Sequence, residues 1–326
     1  MPAVRRSPRR LGLLTAVLGA QLLVAGAFIW AAATGFGFLG ELGATAHRAA
    51  DRDLGAATLG GRRSARFDAR RAWRELLTQV AIGPRPAGSP TLRQLAARLR
   101  RELPHGRFEP LGPAHPGLQN IIGTLPGRLP AVVLGAHYDT KDIPGTAPRG
   151  GNGYVGANDG AGGTAAVVEL ARDLRRARRP GGHQLRFVLF DGEEAPPGSP
   201  DFYSGGDRGS KAYVAAHRRE VGAMILLDFV ANRRLSIPRE AGSDRGLWAR
   251  LRAAAAAVGD GTAFPDRTTG EILDDHTPFA RAGIPAVDLI DFDYPCWHRA
   301  CDRPDQLSQG SLQVTGQTVL KLLGGM

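Results

Sequence analysis

Four short, nearly unbroken apolar runs set the strongest limit on what this chain can fold into: residues 131–136 (AVVLGA), 185–190 (LRFVLF), 223–227 (AMILL) and 284–290 (IPAVDLI). They are too short for buried helices and lack polar alternation, so they read as strands covered on both faces. Stretches of helical periodicity separate or follow them: GTAAVVELARDLRRA (163–177), GLWARLRAAAAAV (246–258) and LQVTGQTVLKLL (312–323). Upstream, FDARRAWRELLTQV (67–80) has helical spacing, and IGPRPAGSP breaks it. Ser89 and Pro90 then make an N-cap and first-turn pair for a helix with Leu92, Leu95, Leu99 and Leu103 on one face. This alternation, without internal repeats, predicts an α/β fold: a mostly parallel (mixed) central sheet with helices on both faces.

Every run leads into the same kind of chemistry. His137 and Asp139 follow the first, Asp191, Glu193 and Glu194 the second, and Asp228 the third; the fourth leads on to His298. The Gly-rich VGANDGAGG (155–163) sets Asp159 just before a helix. In open parallel sheets, ligands bind beyond the carboxyl ends of the strands. One His or carboxylate there is an ordinary helix cap. Imidazoles and carboxylates gathered from dispersed loops form a ligand set that Zn2+ accepts.

The motifs GAHYDTK, VGANDGAGG, FDGEEA, LLDF, DDHTPFARAGIPA and WH followed by acidic residues occur in this order. In that order the chain resembles the glutaminyl-peptide cyclotransferases, which share their fold with the zinc aminopeptidases, over about residues 70–325. The resemblance implies a zinc ion on Asp159, Glu194 and His298, with Glu193 as general acid/base. It also implies an acid network of Asp228 and Asp274 with Glu193. Asp139 would orient His137 from behind. Aminopeptidases of this fold bind a second zinc at the positions of His137 and Asp228, with Asp159 bridging; the cyclotransferases keep both residues yet bind one zinc.

Both chemistries use the same side chains. In a cyclotransferase the peptide's own α-amine attacks the side-chain carbonyl of an N-terminal glutamine and ammonia leaves; an aminopeptidase activates water instead. DDHTPF, with Asp274, and HYDTK resemble the cyclotransferase form, and Trp297 beside His298 would wall the glutamine pocket. Animal cyclotransferases carry a pocket Trp shortly after the Glu pair, where this chain has PPGSP; Phe202 or Tyr203 would have to substitute. A non-catalytic binding protein on this fold is the third reading, and the filled ligand positions oppose it.

The net charge of +11 raises nucleic acid as a partner. The excess is almost all Arg, with lysine only at Lys141, Lys211 and Lys321, and scattered as pairs rather than in a basic strip with aromatics. No nucleic-acid partner is expected; the expected substrates are peptide or protein N-termini. Residues 1–10 carry Arg5, Arg6, Arg9 and Arg10, and residues 11–40 are uncharged, longer than the roughly 20 needed to span a bilayer. The order of charges predicts a single-pass transmembrane anchor with the bulk of the chain extracytoplasmic; a cleaved signal and secretion is the alternative. Residues 41–66 read as a linker and 67–326 as the catalytic domain. Outside the cytoplasm, Cys296 and Cys301 could close a small loop around His298, with two free thiols as the alternative.

Overall fold

The apolar runs become the parallel heart of a six-stranded sheet in a computed structural model, which describes residues 66–143, 153–177 and 181–325. The strands are β1 (Arg107–Pro110), β2 (Gln119–Leu125), β3 (Arg128–His137), β4 (His183–Phe190), β5 (Val221–Asp228) and β6 (Ala286–Ile290), in the order β1-β2-β4-β3-β5-β6. Strands β4, β3, β5 and β6 pair in parallel, Leu134 standing opposite Phe187 on one side and Ile225 on the other. The edge pair β1–β2 joins antiparallel through β2 to β4, which makes the sheet mixed. Neither β1 nor β2 was expected. RFEP is short and polar, and QNIIGTL has too little continuous apolar sequence to stand out.

Period-two alternation splits the strand residues between two cores. Val132, Leu134, Phe187, Leu189, Ile225 and Leu227 face one layer; Val133, Val188, Phe190, Met224 and Leu226 face the other. The first layer is closed by α1 (Ala69–Ile82), α2 (Pro90–Glu102), α3 (Ala161–Ala177), α6 (Arg245–Ala257) and α8 (Gln309–Gly324). On the opposite face lie α5 (Arg208–His217), through Tyr213 and Val214, and α7 (Thr277–Arg281), through Phe279. A one-turn α4 (Phe202–Gly205) precedes α5. The Ser89 hydroxyl accepts from the Leu92 N–H at 3.0 Å, with Pro90 in the first turn, as the capping signal predicts. Leu103 falls just past the end of α2 and is still buried.

No helix among the described residues is long and apolar enough to cross a membrane. The expected tail and anchor, 1–40, and the linker except Arg66 lie outside the described residues.

Helix α3 sits hard against the sheet because it begins with small residues. A Cβ on Gly163 would stand 1.9 Å from the backbone oxygen of Leu227, so α3 touches β5 backbone to side-chain-free backbone. Alanine normally gains about 1 kcal/mol over glycine inside a helix. Overpacking against backbone that cannot turn aside costs about 1–3 kcal/mol. With a clash this close to backbone, the upper end applies, and Gly163→Ala is expected to lower stability by about 2 kcal/mol in urea unfolding; equal or higher stability would show that α3 can lift from β5.

Candidate metal centre

The parallel strands stop at one edge, and the polar side chains begin where the ladders end. His137 is the last residue of β3 and Asp228 the last of β5. Strand β4 ends at Phe190; Gly192 then takes φ +72°, a left-handed turn suited to glycine, and releases Glu193 and Glu194 from strand alternation. The Asp139 carboxylate holds this turn, accepting the Glu193 and Glu194 N–H groups, each at 3.3 Å. Asp191 accepts from the Gln119 N–H at 2.8 Å and the Tyr138 hydroxyl at 3.2 Å, a brace between β2 and the strand end. Asp159 is delivered by the loop into α3. There Gly160, at φ +89°, passes so close to Asp139 that a Cβ would lie 2.5 Å from its backbone oxygen.

Two potential ligand groups result, and Asp159 belongs to both. In the first, donor atoms of Asp159, Glu194 and His298 lie within 4.8 Å of one another. The Nε2 of His298 is 3.1 Å from Glu194 Oε1 and 3.5 Å from Asp159 Oδ2. In the second, His137, Asp159 and Asp228 converge equally closely. The Nε2 of His137 stands 3.2 Å from Asp159 Oδ1 and 3.5 Å from Asp228 Oδ1. Both ring nitrogens of His137 are buried and make no hydrogen bond among the described residues despite these carboxylates. In this second group, nitrogen and oxygen donors that converge without bonding to each other fit a cation between them. In the first, His298 Nε2 and Glu194 Oε1 are within hydrogen-bond distance, and the donor set itself is one that Zn2+ accepts. Asp139 lies 3.6 Å from His137 Nδ1, beyond hydrogen-bond distance, so its firm contacts go to the Glu193–Glu194 turn rather than to the imidazole.

Glu193 joins a third group with Asp274 and Asp207. Burial, and then the charge of Glu194, raise the Glu193 carboxyl well above the usual carboxylate range. Asp274 is raised likewise by burial and by Asp288, Asp228 and Glu193. Burial carries Asp228 to about 6, partly opposed by His137. Glu193, Asp274 and Asp228 line a cavity of about 320 Å³ walled by Phe202, Phe229, Ile272, Phe292 and Trp297. Trp297 is 44% exposed and stacks on the His298 ring, centroids 4.5 Å apart, and makes a tilted contact with Phe292 at 4.9 Å. Phe202 lines the cavity; Tyr203 is instead covered by Lys211 at 3.9 Å and Arg281 at 3.8 Å.

The structure thus brings together Glu193, Glu194, Asp159, His137, Asp228, Asp274, Trp297 and His298. Sequence reasoning missed Asp207, Tyr154 and the charge on Lys141. Asp207 is fully buried at φ +51° ahead of α5, where nothing in its local sequence marks it. Tyr154 donates its hydroxyl to Asp159. Lys141 Nζ is 3.1 Å from Glu194 Oε2, and its signal was available, since it closes the HYDTK motif. The two cysteines form a disulfide, Cys296–Cys301, around Trp297 and His298.

The family model described as Peptidase family M28 matches residues 120–323. The glutaminyl-peptide cyclotransferase of Bos taurus is 29% identical over 227 residues, 59% of this chain and 62% of that protein. The chain therefore spans less than two thirds of that relative's length. Among solved structures, the glutaminyl cyclase of an Acidobacteriales bacterium superposes with a TM-score of 0.68 at 28% identity, covering 81% of this chain and 96% of that one. A leucine aminopeptidase precursor from Bacteroides thetaiotaomicron also gives 0.68, at 25% identity, covering 80% and 98%.

Behind the cavity, His276 stands 3.2 Å from Glu240 Oε1 and 3.7 Å from Asp288 Oδ2, all fully or almost fully buried. Burial alone would raise the Glu240 carboxyl, but His276, Ser243 and the Gly242 N–H bring it down to about 2. A depressed carboxyl stabilises the fold above its unfolded value of about 4.3 and loses that contribution as pH falls towards 2. Glu240→Gln should therefore cost about 3 kcal/mol at pH 7 and less than half of that at pH 3, read by urea unfolding at both pH values.

Proposed function

The chain belongs to peptidase family M28, and within that family we propose that it is a zinc-dependent glutaminyl-peptide cyclotransferase, converting N-terminal glutamine of peptides or proteins to pyroglutamate with release of ammonia. The observation that carries this reading is one arrangement: Asp159, Glu194 and His298 converge at the end of a small, mostly apolar cavity that Glu193 and Asp274 also line. The names of the bovine relative and the Acidobacteriales structure point the same way.

Asp159, Glu194 and His298 would hold the zinc, which when bound supplies Lewis-acid polarisation of the glutamine side-chain carbonyl. Glu193, raised in pKa, suits a group that must both take and give a proton near neutral pH. It removes a proton from the α-amine as the new nitrogen–carbon bond forms, and returns it to the departing side-chain nitrogen as that carbon–nitrogen bond breaks. The leaving group is ammonia, and no water is consumed. Asp274 and Asp228, themselves pushed up, keep negative charge from accumulating around Glu193. Phe292, Trp297 and Phe202 line the space for the aliphatic part of the glutamine and exclude competing water. Phe202 fills part of the role of the tryptophan absent after the Glu pair.

A second reading, a two-zinc aminopeptidase, is favoured by one specific observation: His137 and Asp228 converge on Asp159 as closely as the first group does. There Glu193 would activate water against the first peptide bond. We further propose that residues 11–40 anchor the chain in a membrane, with 41–66 as linker and the catalytic domain, 67–326, extracytoplasmic.

Offered a peptide with N-terminal glutamine, the purified protein is expected to release one ammonia per pyroglutamate formed, with one zinc per chain and no cleavage of an aminoacyl anilide. Anilide hydrolysis with two zincs would establish the second reading instead. Glu193→Gln should lower kcat/KM by about 100-fold or more while zinc content is unchanged; full activity would remove Glu193 from the chemistry.

A further inference from the structure

His298 adopts φ +54°, a left-handed conformation that a residue with a side chain enters only when its surroundings impose it. The imposing elements lie within a few residues on either side. Cys296, buried, and Cys301, exposed, are joined by a disulfide whose loop contains only Trp297, His298, Arg299 and Ala300. Within it the Arg299 N–H donates to the Cys296 carbonyl at 3.0 Å, and the Asp302 N–H to the Arg299 carbonyl at 2.9 Å.

The ends of this segment are pinned to each other and to the loop that carries Asp159. The fully buried Asp302 carboxylate accepts from the Tyr294 hydroxyl at 2.7 Å and from the Asn158 N–H at 2.9 Å through one oxygen. Its second oxygen accepts from the Asp159 N–H itself at 3.2 Å. The Ala157 N–H adds a bond to the Asp302 carbonyl at 3.4 Å. One side chain thus holds the backbone of Asp159 and closes the loop that aims His298.

We propose that the Cys296–Cys301 disulfide and Asp302 form a clamp of positioning residues that sets His298 against Asp159 and so fixes metal affinity. The inference rests on the reading of Asp159 and His298 as metal ligands, not on which reaction follows. Six residues freed at one end can relax His298 to φ below zero, swinging its ring off the site. With Asp302 neutral as an amide, one of the three donors on its carboxylate oxygens meets an N–H instead of an acceptor. Loss of such outer supports lowers metal affinity by about 10–100-fold. Because Cys301 is exposed, a reductant can reach the bond.

The test measures zinc affinity of the full chain by competition with a chromophoric chelator, with circular dichroism to verify folding. Cys296→Ser/Cys301→Ser and Asp302→Asn are expected to raise the zinc Kd by about 10–100-fold. Leu95→Ala, a core truncation on α2, should lower the melting temperature and leave Kd unchanged, which separates positioning from general loss of stability. Should the double variant not fold, wild-type protein reduced and alkylated in the folded state must release zinc to the chelator faster than untreated protein. Alkylation prevents the freed thiols from binding the metal. Unchanged Kd in folded variants, or unchanged release after reduction, overturns the clamp alone. A wild-type chain with no zinc affinity overturns the metal reading and the clamp with it.

Discussion

Buried negative charge is the constraint on which the rest of this structure depends. Asp139, Asp159, Asp191, Glu193, Glu194, Asp207, Asp228, Asp274, Asp275 and Asp288 are all buried at or behind one edge of the sheet. Cations reach only some of them: Lys141 touches Glu194, the fully buried Arg85 lies near Asp139 and Asp159, and Lys211 and Arg281 act on Asp207, while His137 and His298 supply imidazoles. Carboxylates in a low dielectric must be neutralised by protons, hydrogen bonds or cations. Three solutions appear side by side. Asp139, Asp191 and Asp302 take backbone N–H groups; Glu193 and Asp274 are pushed towards holding protons; Asp159, Glu194 and Asp228 converge with histidines, Glu194 bonding His298 while His137 bonds neither Asp159 nor Asp228, a donor set that suits a metal ion.

That arrangement needs a scaffold that will not yield. The parallel strands bring His137, Phe190 and Asp228 to a common level, and a shift of one residue in register would turn any of the strand-end side chains to the opposite face. Helix α3 is held at Gly163 against the β5 backbone, which fixes the height at which Asp159 arrives. The carboxylates that grip backbone act as struts between loops: Asp139 between β3 and the Glu pair, Asp302 between the last loop and the Asp159 loop. The converging acids and histidines are thereby supported by carboxylates, each satisfied differently.

Cyclisation and hydrolysis can share this constellation because both attack an amide carbonyl and must protonate a departing nitrogen; they differ in the nucleophile and in which amide is attacked. An internal amine needs a pocket that folds the glutamine side chain back on its own N-terminus, whereas water needs a second cation or a strong base. The apolar wall of Phe202, Phe292 and Trp297 serves the first demand, and the His137 group is suited to the second.

Much of this was legible in the sequence. Continuous apolar runs read as strands covered on both faces, so β3, β4, β5 and β6 followed from the sequence, as did α3 and α6 from their periodicity, whereas the short α4, α5 and α7 did not. The ordered motifs nominated every member of both ligand groups. Strands β1 and β2 escaped because β1 is a short, polar edge strand and β2, though mostly buried, has only Ile121 and Ile122 as a continuous apolar signal. Asp207 and Tyr154 escaped because only packing brings them to the site, and Asp139 was assigned to His137 when its bonds go to the Glu193–Glu194 turn. Whether Cys296 and Cys301 joined, and that Asp302 reaches across to Asp159, also required three dimensions. A sequence records which side chains are carried to a sheet edge, because strand length and polarity are local properties. Which carboxylate meets a backbone N–H, a proton or an imidazole depends on distances between segments far apart in the chain, and only the folded structure determines those.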